Sequence, residues 1–132
     1  MKVEVTSANR GGTVFCAETR GHQMICDVPP HWGGTDTGMT GGEALLAALG
    51  NCLGTVIALA CQSKGVPYEG LTVEVAAELD KDNFILRDLT ATVHMPGPVD
   101  DMTRRTIEAA QHMCVVHNTL GSGAHTTIVI AE

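Results

Sequence analysis

Apolar and polar positions alternate with a period of two at both ends of the chain and with a helical or continuous apolar pattern between them. Lys2–Thr6 alternates and predicts a strand, Ser7–Gly12 is turn chemistry, and Thr13–Glu18 predicts a second strand. Arg20-Gly21 turns the chain into a third strand, His22–Val28, which completes an antiparallel meander. Pro29–Gly42 is a loop by composition, either mobile or closely packed over a site, with Trp32 as an apolar lid. Its glycines lack the Gly-Lys-Ser/Thr of a phosphate loop. A long apolar helix over Gly42–Ser63 follows and stops before Gly65-Val66-Pro67. Leu71–Leu79 and Ile85–Met95 alternate and form a hairpin through a short polar connection. After Pro96-Gly97-Pro98, Asp100 or Asp101 caps a second helix, with Ile107, Ala110 and Cys114 at helical spacing. Cys114 lies late in that helix or just past it. Leu120-Gly-Ser-Gly breaks the chain before a closing strand, Ala124–Ile130. This order predicts one α+β domain over residues 1–132, antiparallel strands curled about helices.

Composition narrows the function. The net charge is −7, and basic residues cluster only at Arg104-Arg105. No positive footprint for a phosphate backbone exists, so nucleic acid is not an expected partner. The start of the sequence lacks the apolar core of a secretory signal. Five cysteines without a Cys-x-x-Cys pair fit reduced thiols in a cytoplasmic protein, not a disulfide scaffold or a zinc ribbon. His112, Cys114 and His117 do not share a helix face and lack a completing ligand, so no metal and no cofactor is expected.

The apolar helix carries the most chemistry. Ala44–Cys61 would pass a hydropathy scan, and Gly50-x-x-x-Gly54 matches a transmembrane packing motif. Against a span stand its Ala and Gly content, the missing positive flank, and the amphipathic strands on both sides. A helix apolar all round belongs in a buried centre, which in so small a chain points to an intertwined homodimer. Thr40-Gly-Gly-Glu43 fits a capping box, which accounts for Glu43 without any catalytic role. Cys16, Cys26 and Cys61 read as small core residues, and composition alone says the same of Cys52.

Two segments change that reading. Glu43-Ala-Leu-Leu-Ala-Ala-Leu-Gly-Asn-Cys52, followed much later by Cys114-Val-Val-His-Asn-Thr-Leu120, resembles the OsmC/Ohr family, as does the Gly21-His-Gln…Asp27…Pro29-Pro30…Gly33-Gly34…Asp36-Thr-Gly38 region. The resemblance implies antiparallel sheets wrapped around two central helices in an intertwined homodimer. It also implies a thiol-dependent peroxidase for organic hydroperoxides. Cys52 would be the peroxidatic cysteine and Cys114 the resolving one. Glu43 would hold an arginine near the thiolate, either Arg10 or Arg20, with Arg10 the better match to the expected turn. A dithiol such as a lipoyl protein would be the reductant. Val115 stands where the family often has proline, and the Glu-to-Cys spacing is a residue shorter than in its characterised peroxidases. Alternatives are a small-molecule binding module on the same scaffold, and a redox sensor whose Cys52–Cys114 disulfide alters a partner surface.

Overall fold

A computed structural model describes residues 1–131, arranged as two compact units, Met1–Leu46 and a second beginning at Ala47. The order is β1 (Thr6–Asn9), β2 (Phe15–Thr19), β3 (His22–Cys26), α1 (Gly41–Lys64), β4 (Thr72–Asp80), β5 (Ile85–His94), α2 (Asp101–Ala110) and α3 (Val115–Gly121). The α+β class expected from the sequence is the one observed.

In the first unit β1, β2 and β3 form an antiparallel meander. β1 starts later than the alternation predicted, because the turn is built by Asn9 rather than Ser7. The Asn9 carboxamide accepts the Gly11 N–H at 3.0 Å and donates to the Gly12 carbonyl at 3.0 Å. Gly11 and Gly12 take positive φ beside it. Thr6 to Asn9 therefore remain free to pair with Glu18 to Phe15.

The loop after β3 is closely packed around one carboxylate. Asp27 is 2 % exposed and accepts from the hydroxyls of Thr13 and Thr35 and the N–H groups of Val28, Thr35 and Thr37. The Thr13 and Thr35 hydroxyls lead in holding it far below the ordinary carboxylate range. The backbone passes so close that a Cβ on Gly34 would sit 2.0 Å from the Val28 carbonyl oxygen, and one on Gly38 2.4 Å from that of Ile25. Trp32 is exposed, its ring centroid 5.3 Å from that of His31 in an edge-on arrangement, so it does not form the buried lid expected.

The second unit is built on α1. Leu49, Leu53, Ile57 and Cys61 recur every fourth residue as a buried stripe, joined in the core by Val66, Ala110 and Cys114. Gly50 and Gly54 lie against β4: added Cβ atoms would come 3.3 Å from Val75 Cγ2 and 3.7 Å from Val73 Cγ2. The small-residue motif is thus a helix-on-sheet contact. By length and composition α1 could cross a membrane, and only 17 % of its most apolar stretch is buried within the chain. Leu45 and Leu59 point away from the core.

β4 and β5 pair antiparallel with a register shift between Ala76 and Glu78. The extra residue is on β5, where Asp88 has φ 55°. That bulge returns Leu86 to the half-buried face of Leu89, Ala91 and Val93. α2 begins at an Asp100 cap, whose carboxylate accepts the Thr103 N–H at 2.8 Å. It ends earlier than the periodicity suggested, and after a short tight turn a separate helix, α3, begins. The closing strand expected at Ala124–Ile130 is absent: the segment is extended with no strand partner, and Ile128 and Ile130 are 89 % and 90 % exposed. The segment pairs with none of the edges that β1, β3, β4 and β5 leave open, so its alternation alone does not make it a strand.

Candidate active site

Cys114 occupies the junction between α2 and α3. Its backbone is extended (φ −79°, ψ 105°), it is fully buried, and it caps α3. The His117 N–H donates to Cys114 Sγ at 3.4 Å, and the Asn118 N–H to the Cys114 carbonyl at 2.9 Å. The Asn118 side chain returns to the His112 carbonyl at 3.0 Å, so the junction is tied on both sides.

Cys52, half-buried midway along α1, packs against the core cluster that contains Cys114. Burial pushes its thiol up, but the Val116 N–H, the Cys114 thiol and the Val115 N–H outweigh that and bring Cys52 below the ordinary thiol range. Cys114 moves the other way. Burial raises it, and the neighbouring Cys52 charge adds to this against the N–H groups of His117 and Val116. The two thiols are therefore shifted in opposite directions, Cys52 becoming the more readily ionised of the two. Such asymmetry suits a nucleophile with a proton-bearing partner. Cys61, fully buried, is only raised by its surroundings and behaves as a core residue.

A cleft of about 660 Å³ adjoins the same elements; Leu49, Leu53 and Leu89 line it together with Glu108, Gln111 and His117, and neither Cys52 nor Cys114 does.

Glu43 is placed differently. Its carboxylate accepts the Thr40 N–H at 2.8 Å while its own N–H donates to Thr40 Oγ1 at 3.2 Å, and these bonds lower its pKa. Among the described residues the ion pairs are Lys2–Glu4, Arg87–Asp80 and His94–Glu74, so neither Arg10 nor Arg20 is paired with Glu43 within the chain. Arg10 follows β1 in its turn, and Arg20 sits in the β2–β3 turn with φ 49°. Both line one cleft of about 650 Å³ on the β1–β2 face. The structure thus gathers the two cysteines and leaves the arginine–glutamate pair unformed. No group of three or more potential metal ligands occurs among the described residues.

The family model for OsmC-like protein matches residues 34–129, which span α1, the hairpin, α2 and both cysteines. The chain belongs to the OsmC-like family. Solved structures agree in fold. A protein from Psychrobacter arcticus 273-4, named for osmotic stress induction and a detoxification response, superposes with a TM-score of 0.79 at 17% identity, over 90% of this chain and 88% of that one. An OsmC-like protein from Mycoplasma pneumoniae gives 0.72 at 23% identity, over 92% and 88%. The organic hydroperoxide resistance protein OhrB of Bacillus subtilis gives 0.60 at 17% identity, over 92% of each. No curated protein matches by sequence.

In this OsmC-like chain two features go beyond what the sequence alone gave. One is α3, capped by the Cys114 side chain. The other is the task of Asp27, which the resemblance named without a role: it organises the loop leading to Thr40 and Glu43. α3 gave no signal at all, because its cap is a cysteine.

Proposed function

We propose that this protein is a thiol-dependent peroxidase for organic hydroperoxides. Cys52 is the attacking thiol and Cys114 the resolving thiol. The observation that carries this reading is that Cys52 packs against the buried cluster containing Cys114, with the two thiols shifted in opposite directions. The names of several solved relatives, organic hydroperoxide resistance proteins among them, point the same way.

The chemistry follows from that polarity. The Cys52 thiolate attacks the outer oxygen of R–O–O–H. An S–O bond forms, the O–O bond breaks, and RO⁻ leaves to take a proton as ROH. The sulfenic acid on Cys52 then meets the Cys114 thiol, water departs, and a disulfide closes. A dithiol, such as a lipoyl group, returns two electrons and two protons by exchange. Arg10, held by Glu43, is the cation that would further favour the thiolate once a homodimer forms. In this reading the chain works as a single domain in the cytoplasm, and a second copy covers the exposed face of α1. It needs no cofactor, metal, nucleic acid or membrane.

Loss of cumene hydroperoxide with dithiothreitol or a lipoyl dithiol tests the reading. Turnover by the wild type and none by Cys52→Ser is expected; undiminished turnover by Cys52→Ser would end it. A second reading, a binding module for small apolar or electrophilic ligands, is favoured by the commitment of Glu43 to Thr40 instead of an arginine. It predicts ligand binding by a wild type that turns nothing over.

A further inference from the structure

Elements α1, β5, α2 and α3 of the second unit all line the cleft of about 660 Å³ that neither Cys52 nor Cys114 reaches. The buried stripe of α1 contributes Leu49, Leu53 and Ile57. β5 adds Leu86 and Leu89, which the bulge at Asp88 keeps on one face. Ile107 of α2 and Leu120 of α3 extend the apolar part, and no aromatic side chain belongs to it. The volume falls within the range of small-molecule sites, roughly 300–1,000 Å³. Leu45 and Leu59, on the exposed face of α1, take no part.

Three polar side chains share this lining: Glu108, Gln111 and His117. Glu108 and Gln111 stand three residues apart along α2 and the turn that ends it, which puts them on one face. His117 precedes Leu120 by the same interval on α3. Among the described residues, none of these side chains is tied by a hydrogen bond or an ion pair. Each carries an acceptor: a carboxylate, an amide oxygen and a ring nitrogen. Glu108 is the one acidic group of the lining, and no lysine or arginine accompanies it. Arg104, a turn earlier on α2, shares a smaller cavity with Glu108 but does not line this one.

We propose that this cleft binds a primary aliphatic amine in its ammonium form, with the alkyl body against the leucines and the head among Glu108, Gln111 and His117. A primary ammonium has three N–H donors and no acceptor, which matches a rim of three acceptors. A carboxylate head would set two anions side by side with no cation between them. A hydroxyl head brings a single donor and leaves two of the acceptors unserved. Burial of the alkyl body gives most of the affinity, and the polar head fixes orientation and selectivity. The site lies apart from the two cysteines, so it needs neither reading of their chemistry.

Decylamine, below its micelle concentration and near neutral pH, is titrated into the wild-type chain carrying isotope-labelled leucine methyls. The resonances of Leu53, Leu89 and Leu120 should shift saturably while those of Leu45 and Leu59 stay in place. Decanol and decanoate, which have a similar alkyl body, should bind more weakly, decanoate weakest. Glu108→Gln should lower the decylamine affinity about two- to fivefold, the range of an exposed ion pair, and leave that of decanol unchanged. A net charge of −7 draws any cation to the surface, so Glu78→Gln is the control. It removes the same charge from an exposed position on β4 outside the cleft and should change neither affinity. Decanoate that binds as tightly as decylamine would overturn the proposal, as would cleft leucines that do not respond. Equal losses from Glu108→Gln and Glu78→Gln, or no loss from Glu108→Gln, would do the same. Both glutamates are exposed, and circular dichroism checks that the variants fold; should Glu108→Gln fail to, the ranking of the three heads on the wild type decides. Hydroperoxide turnover is not read, so a chain inactive as a peroxidase leaves this test standing.

Discussion

Truncating Ile57 to alanine probes the core that seats both cysteines. Ile57 is fully buried on α1, between Leu53 and Cys61 on the stripe that meets Ala110 and Cys114. Removing its branched end forfeits about 2.5 kcal/mol of transfer free energy, at about 0.8 kcal/mol per methylene-sized group. A void that failed to relax would add on the order of 1–2 kcal/mol at about 24 cal/mol per Å³. Ile57 also lines the apolar cleft, so the new space opens into one that already exists and neighbouring leucines can settle into it. That puts the expected loss at about 2.5–4 kcal/mol, below the cost of a sealed cavity. The assay is urea unfolding at fixed protein concentration, followed by far-UV circular dichroism because the sole tryptophan, Trp32, belongs to the first unit. Leu59→Ala is the comparison: on the same helix but 59 % exposed, it should cost under about 1 kcal/mol within one chain. A larger Leu59 loss that grows on dilution measures burial by a second copy. A folded Ile57→Ala protein that loses less than about 1 kcal/mol would refute the packing argument.

Three further outcomes follow from the same geometry. Cys114→Ser should leave the first Cys52 attack intact but strand the sulfenic acid, so mass spectrometry after excess peroxide should find Cys52 as sulfinic acid, which the wild type avoids. Gly38→Ala should unfold or strongly destabilise the first unit, because its Cβ would meet the Ile25 carbonyl; a thermal melt read through Trp32 fluorescence checks this. Asp27 has a folded pKa below its unfolded one, so its stabilisation is present in full above the ordinary carboxylate range and is lost as pH falls through that range and beyond. Asp27→Asn should therefore be less stable than wild type at neutral pH, with the difference narrowing in acid, as acid titration of Trp32 fluorescence would report.

The long helix and the hairpin were legible because periodicity and burial agree there: the apolar stripe of α1 and the alternation of β4 and β5 carry their own signal. α3 was not, because Val115-Val116 reads as strand-forming and Cys114 is not among the usual capping residues. The segment Ala124–Ile130 shows the converse failure: alternation names a strand, but only a neighbouring edge makes one. Within the candidate site, no spacing rule singled out Cys52. The resemblance did, and the structure separates it from Cys61 on the same helix by burial: Cys61 is fully buried, whereas Cys52 is only half-buried beside the cluster that holds Cys114.

The bulge at Asp88 carries a consequence for how the gene can change length. The hairpin holds its core face only because β5 is one residue longer than its partner at that point. Loss of that single codon would restore a regular ladder and turn Leu86 and all before it to the opposite face of the sheet. The loop at Lys81–Phe84 has no such parity to keep. In-frame insertions and deletions should thus be tolerated at the tip of this hairpin and excluded a few residues along its stem, although both places look equally polar in the sequence.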